Sequence, residues 1–498
     1  MKIQQFLEHH GIVGNPFAEE DAQSDPVFKE HCIASAYHPT WDKIYGDPRE
    51  PATAVVFGEK GSGKTAIRLQ IARHLGQYNA DHPGERAFII EYDDFNPFLD
   101  RFAERLSARR RRPDRVLAEW KLWDHMDAIL MLGVTGLVDR VLKVKQPSGE
   151  GIGDVSDENI RRLDRHQARD LLVLAACYDH SSAETFKGRW HRLRRRLGFW
   201  PIKAWGDAAL GLAVTLATLF LVSKQDDPWA WLAAPWPWLV IAGGWLPRLW
   251  KMWRRFWIAR GIANHVRIGN HAVGQLRQIL MNFSESELAG QPLPNKDRTD
   301  DRFEMLAKFQ GLLRTLGFAG IVVLVDRLDE PHLINGSAEQ MRALLWPMLD
   351  NKFLKQPGIG FKLLLPIELQ PYVDREDREF YQRARLDKQN MIPSLEWTGE
   401  ALYDVANSRL RACAAKGATP TLADLFDPSV NERRLIDALR TLRVPRHLFK
   451  FMYRAFVAHC NAHTDDRPVW KISSELFEST LALYRREQDA FDRGLRAG

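Results

Sequence analysis

The stretch that decides the fold is TAVVFGEKGSGKTAIRLQIARHL, residues 53–75. An apolar, β-branched run, Ala54 to Phe57, predicts a buried strand, and the residues after the glycines have the periodicity of a helix. Four residues between strand and helix fit G-x-x-x-x-G-K-[ST], the spacing of a phosphate-binding P-loop: Gly58, Gly63, Lys64 and Thr65.

The order strand, glycine-rich loop and helix suits the binding of nucleotide phosphates. Glycines let backbone N–H groups face phosphate oxygens, and the helix directs the positive end of its dipole at them. The lysine of such a motif reaches the β- and γ-phosphates, and the hydroxyl residue after it contacts Mg²⁺. The predicted nucleotide-binding residues are Gly58, Glu59, Lys60, Gly61, Ser62, Gly63, Lys64 and Thr65, of which Thr65 also holds the metal.

A second apolar run, FAGIVVLVDRLDE at 318–330, predicts the other half of the site. Ile321 to Val325 has the composition of a central parallel strand that is buried on both faces. Asp326 follows this strand. In a P-loop site, an aspartate at this position faces the loop and holds a water molecule on Mg²⁺. The alternative is a core strand that happens to end in an acidic residue. A carboxylate must orient or deprotonate the attacking water, and we favour Glu330 over Asp329. Since no N-K-x-D guanine motif is present, ATP is the expected nucleotide.

Two more apolar runs, Phe88 to Tyr92 and Phe361 to Leu365, predict further strands of one sheet. The predicted fold is α/β: a parallel P-loop NTPase sheet flanked by helices, with a large helical insertion and an α-helical C-terminal lid. The Gly- and Ser-containing stretch 145–160 predicts a loop within that insertion. The predicted segments are 1–94 and 319–392 for the NTPase domain, 95–318 for the insertion and 393–498 for the lid.

The insertion contains two stretches of membrane-like composition. Residues 204–223 carry one charge, Asp207, and residues 229–246 carry none. A membrane-spanning helix needs about 20 apolar residues, and tryptophan, which is frequent here, favours membrane interfaces. The sequence therefore predicts a two-helix transmembrane hairpin at about 204–250. A buried helical hairpin in a soluble protein is the alternative.

The charges around the hairpin predict its orientation. Basic segments precede it (186–203) and follow it (248–260), whereas the connecting KQDDP carries one lysine and two aspartates. Because positive flanks stay on the cytoplasmic side, both halves of the nucleotide site are expected there. The predicted location is a bacterial inner membrane, in a multi-pass topology with a cytoplasmic NTPase domain, and lipid is the predicted partner of the hairpin.

Composition limits the other classes of function. Four scattered cysteines lack the spacing of a zinc site or a disulfide framework, and the N-terminal residues lack the pattern of a secretory signal. A net charge of +6 on 498 residues is weak support for nucleic-acid binding. The basic cluster Arg109 to Arg112 is better explained as a solvated helix end, since no aromatic stacking platform accompanies it.

The motifs together resemble the KAP-type P-loop NTPases, which belong with STAND and AAA+ enzymes in the additional-strand class. The resemblance is specific at 53–68 and 320–330, and VPRHL at 444–448 is similar to a lid segment whose arginine senses the γ-phosphate. It implies this role for Arg446, and ATP-driven switching and assembly at the membrane, in signalling or phage defence. In many such ATPases the catalytic acid directly follows the Mg²⁺ aspartate; here Arg327 stands there, which predicts slow hydrolysis.

Three hypotheses remain open at this point. The favoured one is a membrane-anchored ATPase switch that forms a homo-oligomer and acts on an unidentified protein partner. The second is a membrane-tethered ATPase that handles nucleic acid. The third is a nearly inactive scaffold that binds ATP and hardly turns it over.

Overall fold

The computed structural model describes residues 1–144, 155–181, 185–226, 228–349, 352–384, 386 and 390–492. Most of the predicted loop at 145–160 lies outside these ranges. From Asp157 the chain is helical.

Five strands form one sheet within the described residues: β1 Ala54–Gly58, β2 Arg86–Tyr92, β3 Phe318–Val325, β4 Ile359–Pro366 and β5 Asn390–Ile392. Their order is β2-β3-β4-β1-β5, and every neighbouring pair is parallel. The predicted parallel sheet is confirmed, and each of the four predicted strands lies within an observed one. β5 was not predicted, because three residues carry too little periodicity to signal a strand.

The helices before the insertion and in its first half are α1 Ile3–His9, α2 Trp41–Tyr45, α3 Lys64–Asp81, α4 Asn96–Arg105, α5 Pro113–Glu119, α6 Leu122–Leu142, α7 Asp157–Arg161, α8 Arg165–Tyr178 and α9 Phe186–Arg196. Those that complete the insertion are α10 Gly206–Ser223, α11 Pro228–Ala233, α12 Pro235–His265, α13 Val273–Leu280, α14 Glu285–Leu288 and α15 Asp300–Thr315. The described residues between β2 and β3 thus form helices α4 to α15 and no strand, as predicted from their pattern.

The helices after β3 are α16 Ala338–Leu349, α17 Gln370–Asp374, α18 Arg378–Ala384, α19 Gly399–Ala412, α20 Glu432–Arg440, α21 Pro445–Ala462 and α22 Ser474–Asp492. The last four of them make up the predicted C-terminal helical region.

The two faces of the sheet are covered by different parts of the chain. Successive side chains of a strand point to opposite faces. Ile321 and Val323 of β3 pack in the core shared with the insertion helices, while Val322 and Leu324 pack against α3 and its neighbours. The apolar composition of β3 is explained by this burial on both faces. Because the strands are parallel, β3 and β1 end at the same edge of the sheet, with β4 between them.

The C-terminal helices have a hydrophobic core of their own, and the N-terminus of the chain belongs to it. Phe6, Leu7 and Phe17 are buried among side chains from α19 to α22. The predicted segment 1–94 therefore divides between two cores. The chain after Phe17 must cross from the C-terminal helices to the sheet, and it does so beside the loop that follows β1.

One helical stretch among the described residues, Ile202–Ser223, is long and apolar enough to cross a membrane. Its most apolar 18 residues have a mean hydropathy of 1.7, and 17% of them are buried. The second predicted span does not meet the same measure. It is divided between α11 and α12 at Ala234, and its tryptophans and prolines contribute little hydropathy. The fold therefore shows one candidate span, and the two-helix transmembrane hairpin stays a prediction.

Candidate functional site

The glycine-rich loop lies at the carboxyl end of β1, where the chain turns into α3. Gly61 and Gly63 have φ values of 89° and 94°, in the left-handed region that favours glycine. A β-carbon on Gly58 would lie 2.4 Å from Ser62 Oγ. The glycines of the motif are thus required by the turn itself.

Lys64, the first residue of α3, folds its side chain back over the loop. Its Nζ donates hydrogen bonds to the carbonyl oxygens of Gly58 at 2.7 Å and Glu59 at 3.0 Å. Burial lowers the pKa of Lys64, and the carboxylates of Asp326 and Asp329 oppose this effect. The ammonium group is therefore held at the loop by carbonyls, in a position where phosphate oxygens would be stronger partners.

Asp326 lies at the end of β3, two strands away from β1, and it contacts the start of α3. Thr65 Oγ1 donates a hydrogen bond to Asp326 Oδ2 at 2.9 Å, and Arg68 Nε lies 3.4 Å from the same oxygen. Burial raises the pKa of Asp326, and the Arg68 guanidinium opposes the rise. The structure thus brings together the hydroxyl and the carboxylate that the sequence assigned to the metal.

Arg68 is a further residue of this region that sequence reasoning missed. Its side chain is 3% exposed and its NH1 donates to Asp93 at 2.5 Å and to Glu91 at 3.2 Å. It therefore links the ends of β2 and β3 to α3 from inside the protein. Its position in the helical repeat, four residues after Lys64, was the available signal.

The residues after Asp326 form a tight turn. Arg327 has a φ of 58°, unusual for a residue with a side chain, and the Glu330 N–H donates to its carbonyl at 3.2 Å. Leu328 is buried and anchors the turn. The Glu330 side chain is 57% exposed and lies 3.6 Å from Arg327 Nε. Burial of its carboxyl raises the pKa of Glu330, and Arg327 opposes the rise.

The C-terminal helical region reaches the loop at two points. Trp397 Nε1 donates to the carbonyl of Ser62 at 2.8 Å, and the Arg446 N–H donates to the carbonyl of Gly61 at 3.4 Å. A β-carbon on Gly61 would lie 2.5 Å from Cβ of Arg446. Arg446, predicted from the lid segment, is therefore at the loop; Trp397 was not predicted, since no local pattern marks it.

These groups surround one cleft of about 1150 Å³, open solvent included. Its polar lining consists of the loop together with Asp326, Arg327, Asp329, Glu330 and Arg446. It is also lined by five mostly apolar residues: Phe28, Cys32, Ile67, Val405 and Phe449. Asp25 and Arg409, an ion pair at 2.6 Å, also line it. The cleft therefore combines the charged groups around the loop with several apolar side chains.

No family model, no curated protein and no solved structure matches the chain. The chemistry of the site has to follow from its own residues.

A second feature, outside the cleft, is the antiparallel pair formed by α10 and the first half of α12. A β-carbon on Gly211 would lie 2.8 Å from the Trp245 ring, and one on Gly244 would lie 2.8 Å from Val214. Trp245 Nε1 donates to Thr215 Oγ1 at 3.1 Å. Close approach at small residues with an interhelical hydrogen bond is typical of helices that pack in membranes.

The outer surface of this helix pair is apolar and exposed. Its exposed side chains include Leu210, Leu212, Leu216, Phe220, Leu239, Val240 and Leu246. Exposed tryptophans lie at both ends: Trp229 and Trp238 at the tip, and Trp205, Trp250 and Trp253 at the base. The one acid, Asp207, pairs at the base with Lys251 Nζ at 3.1 Å, and Lys251 also donates to the carbonyl of Ala204 at 2.8 Å.

Proposed function

We propose that the chain is an ATP hydrolase that acts as a nucleotide-driven switch at the inner face of a bacterial membrane. The observation that carries the proposal is the loop at the end of β1, whose Thr65 meets Asp326 from a strand more than 250 residues later. A loop with left-handed glycines, a lysine at the helix start and a carboxylate opposite are the parts that phosphoryl transfer from ATP uses.

The strand order supports the resemblance to the additional-strand class. β4 lies between β1, which leads into the loop, and β3, which ends at Asp326. An extra strand between these two is the feature for which the class is named. The resemblance to KAP-type NTPases in particular rests on the motifs, on Arg446 and on the proposed membrane hairpin.

The oxygen atoms of Thr65 and Asp326 are donors of the kind that Mg²⁺ prefers. Within the described ranges no group of three or more His, Cys, Asp or Glu side chains is arranged to hold a metal. A magnesium ion that keeps water and phosphate ligands needs only one or two protein oxygens, so the donor set fits. When bound with ATP, the ion would neutralise charge on the phosphates.

Two carboxylates are candidates for orienting the attacking water. Asp329 acts electrostatically on Lys64 and is half-buried in the cleft. Glu330 is more exposed, and its carboxylate forms an ion pair with Arg327. We keep Glu330 as the proposed base and Asp329 as its alternative. The pairing of Glu330 with Arg327 supports slow turnover, which suits a switch better than a motor.

The apolar side chains that line the cleft suit a flat, uncharged base. Phe28, Val405 and Phe449 are among them, and they come from the N-terminal segment and from the C-terminal helices. A nucleotide would therefore touch the loop, the N-terminal segment and the lid at once. This arrangement supports a role in which the bound nucleotide determines the position of the lid. A change in that position would in turn change assembly with further copies of the chain or with a protein partner.

The helix pair supports membrane residence. Apolar exposed faces, tryptophans at both ends and a neutralised acid at the base are the properties of a segment surrounded by lipid. We therefore propose the hairpin at 204–250 as an anchor whose tip crosses to the outer side. The cluster Arg109 to Arg112 gives little support to nucleic-acid handling, since Arg110 pairs with Glu119 and Arg111 donates to backbone carbonyls.

The experiment that tests the proposal measures binding and hydrolysis of ATP by the detergent-solubilised chain, with GTP and nucleic acid as comparisons. Mg²⁺-dependent binding of ATP with slow turnover supports it. Turnover that rises with added DNA or RNA and falls steeply with salt favours the nucleic-acid alternative. Binding without turnover favours the scaffold, and mass measurement with ADP and an ATP analogue shows whether nucleotide drives assembly.

A further inference from the structure

Glu20, in the segment that crosses from the C-terminal helices to the sheet, lies between two cations of α21. Its Oε2 is 3.8 Å from Arg446 Nε and 3.4 Å from Lys450 Nζ. Arg446 and Lys450 are four residues apart and so share one face of the helix. Glu20 lines the same cleft as the glycine-rich loop.

The position of Glu20 is fixed by anchors on both sides. Phe17 is 1% exposed in the core of the C-terminal helices. Asp25 pairs with Arg409 at 2.6 Å, and both side chains are almost fully buried. The seven residues between these anchors have little freedom to leave the cleft. The carboxylate is therefore a lasting neighbour of α21.

Arg446 also belongs to the loop. Its N–H donates to the Gly61 carbonyl and its side chain packs against Gly61. Its Nε is buried and has no hydrogen-bond partner among the described residues, the Glu20 carboxylate being too distant for one. The guanidinium thus has unused donor capacity between a protein carboxylate and the site proposed for phosphates.

We propose that Glu20 and the terminal phosphate of ATP are alternative partners of Arg446, so that Glu20 lowers the affinity of the cleft for a triphosphate. This inference rests on the proposed function and adds a residue that sets its nucleotide preference. With a diphosphate, Arg446 keeps its contact with Glu20. With a triphosphate, the Arg446 guanidinium binds the terminal phosphate, and Glu20 keeps only its ion pair with Lys450. Glu20 acts through Arg446 and is a positioning residue.

The test is the affinity of the full chain for ATP and for ADP after Glu20→Gln, which keeps the size of the side chain and removes its charge. Loss of a partly exposed ion pair predicts ATP binding tighter by about three- to fivefold, with ADP nearly unchanged. Glu19→Gln is the matched control, because it removes the same charge from the exposed neighbouring residue. If Glu20 only held its segment in place, Glu20→Gln would weaken the binding of ATP.

The double variant Glu20→Gln with Arg446→Ala shows whether the effect passes through Arg446. The gain in ATP affinity should vanish in the Arg446→Ala background. A gain that persists there, a gain equal to that of Glu19→Gln, or weaker ATP binding overturns the inference. A wild-type chain that binds no ATP overturns the proposed function, and with it this inference; binding without a selective gain overturns this inference alone.

Discussion

Thr65 and Asp326, separated by 261 positions in the chain, are joined by a hydrogen bond of 2.9 Å. The helical insertion lies between β2 and β3, which are nevertheless neighbouring parallel strands. The two halves of the candidate site are therefore set by the sheet and not by the insertion. Single substitutions at either half should act on nucleotide binding and leave the fold in place.

Lys64→Ala should weaken ATP binding at least about tenfold. The change removes a charge-assisted contact with phosphate, worth about 1.5–3 kcal/mol. Calorimetry measures the dissociation constant, with Lys43→Ala as a control, since Lys43 is an exposed lysine in α2 outside the cleft. Equal affinities of wild type and Lys64→Ala would exclude phosphate binding at this loop.

Asp326→Asn should make ATP binding independent of Mg²⁺. The carboxylate is the charged oxygen donor beside Thr65, and an amide is a poorer partner for a hard cation. Binding of ATP is measured with Mg²⁺ and with a chelator, in wild type and variant. If Asp326→Asn retains the full difference between these two conditions, the metal lies elsewhere.

Glu330→Gln should bind ATP normally and stop its turnover, whereas Asp329→Asn should keep turnover. A base has to be deprotonated, and burial raises the pKa of Glu330. Hydrolysis should therefore be lost, as pH falls, at a higher pH than an ordinary glutamate would give. Steady-state rates across pH test both points. The reverse pattern of the two variants would assign the base to Asp329.

His125 should make the protein less stable as pH falls below about 6.5. Its Nδ1 lies 3.0 Å from the Tyr92 hydroxyl, its Nε2 lies 2.8 Å from the Leu344 carbonyl, and burial lowers its pKa to about 4. A depressed pKa in the folded state means that the unfolded state binds the extra proton, so this stability is present above 6.5 and lost between there and 4.

Linkage over this range predicts a loss of about 2 kcal/mol between pH 7 and pH 5 from this residue. Unfolding in detergent at both pH values is compared for wild type and His125→Gln. The variant should be less stable at both, with a smaller difference between them. An unchanged difference would mean that His125 does not carry this pH dependence.

Replacing 204–250 with a short Gly/Ser linker should leave a folded, soluble domain that binds ATP. The Lys251 ammonium contacts the Ala204 carbonyl, so the two ends are already close, and closing a short loop costs little. The wild-type chain should resist carbonate washing of membranes, and the shortened chain should not pellet with them. The prediction would be wrong if the shortened chain failed to fold and carbonate removed the wild-type chain from membranes. The helix pair would then be an ordinary part of the protein core.

The proposed position of the tip on the outer side of the membrane can be tested separately. Gln225→Cys should react with a membrane-impermeant thiol reagent from the outer side of intact membrane. The control is the parent chain with Cys413→Ser, since the other three cysteines are buried. Labelling only after the membrane is opened would place the tip inside.

Residues whose role is local could be predicted from the sequence, and residues placed by distant contacts could not. The loop, Lys64, Thr65 and Asp326 each lie at the end of a strand or the start of a helix that its own neighbours specify. Trp397 and Glu20 reach the cleft through packing of the C-terminal helices, which no short pattern encodes. The partner of Asp207 could not be predicted either, because Lys251 lies 44 residues later in the chain.

Helix α12 runs for 31 residues from the apolar tip region to His265, a length of about 46 Å. At its far end the His265 carbonyl accepts a hydrogen bond from Arg302 of α15 at 3.2 Å, and α15 leads directly into β3 and Asp326. A tilt of 5° about one end of such a rod moves the other end by about 4 Å. Pro247, inside the helix, has no N–H group, so α12 lacks one internal hydrogen bond near the base of the apolar pair. In the proposed membrane setting, a tilt of α12 would therefore be passed through Arg302 and α15 to the end of β3.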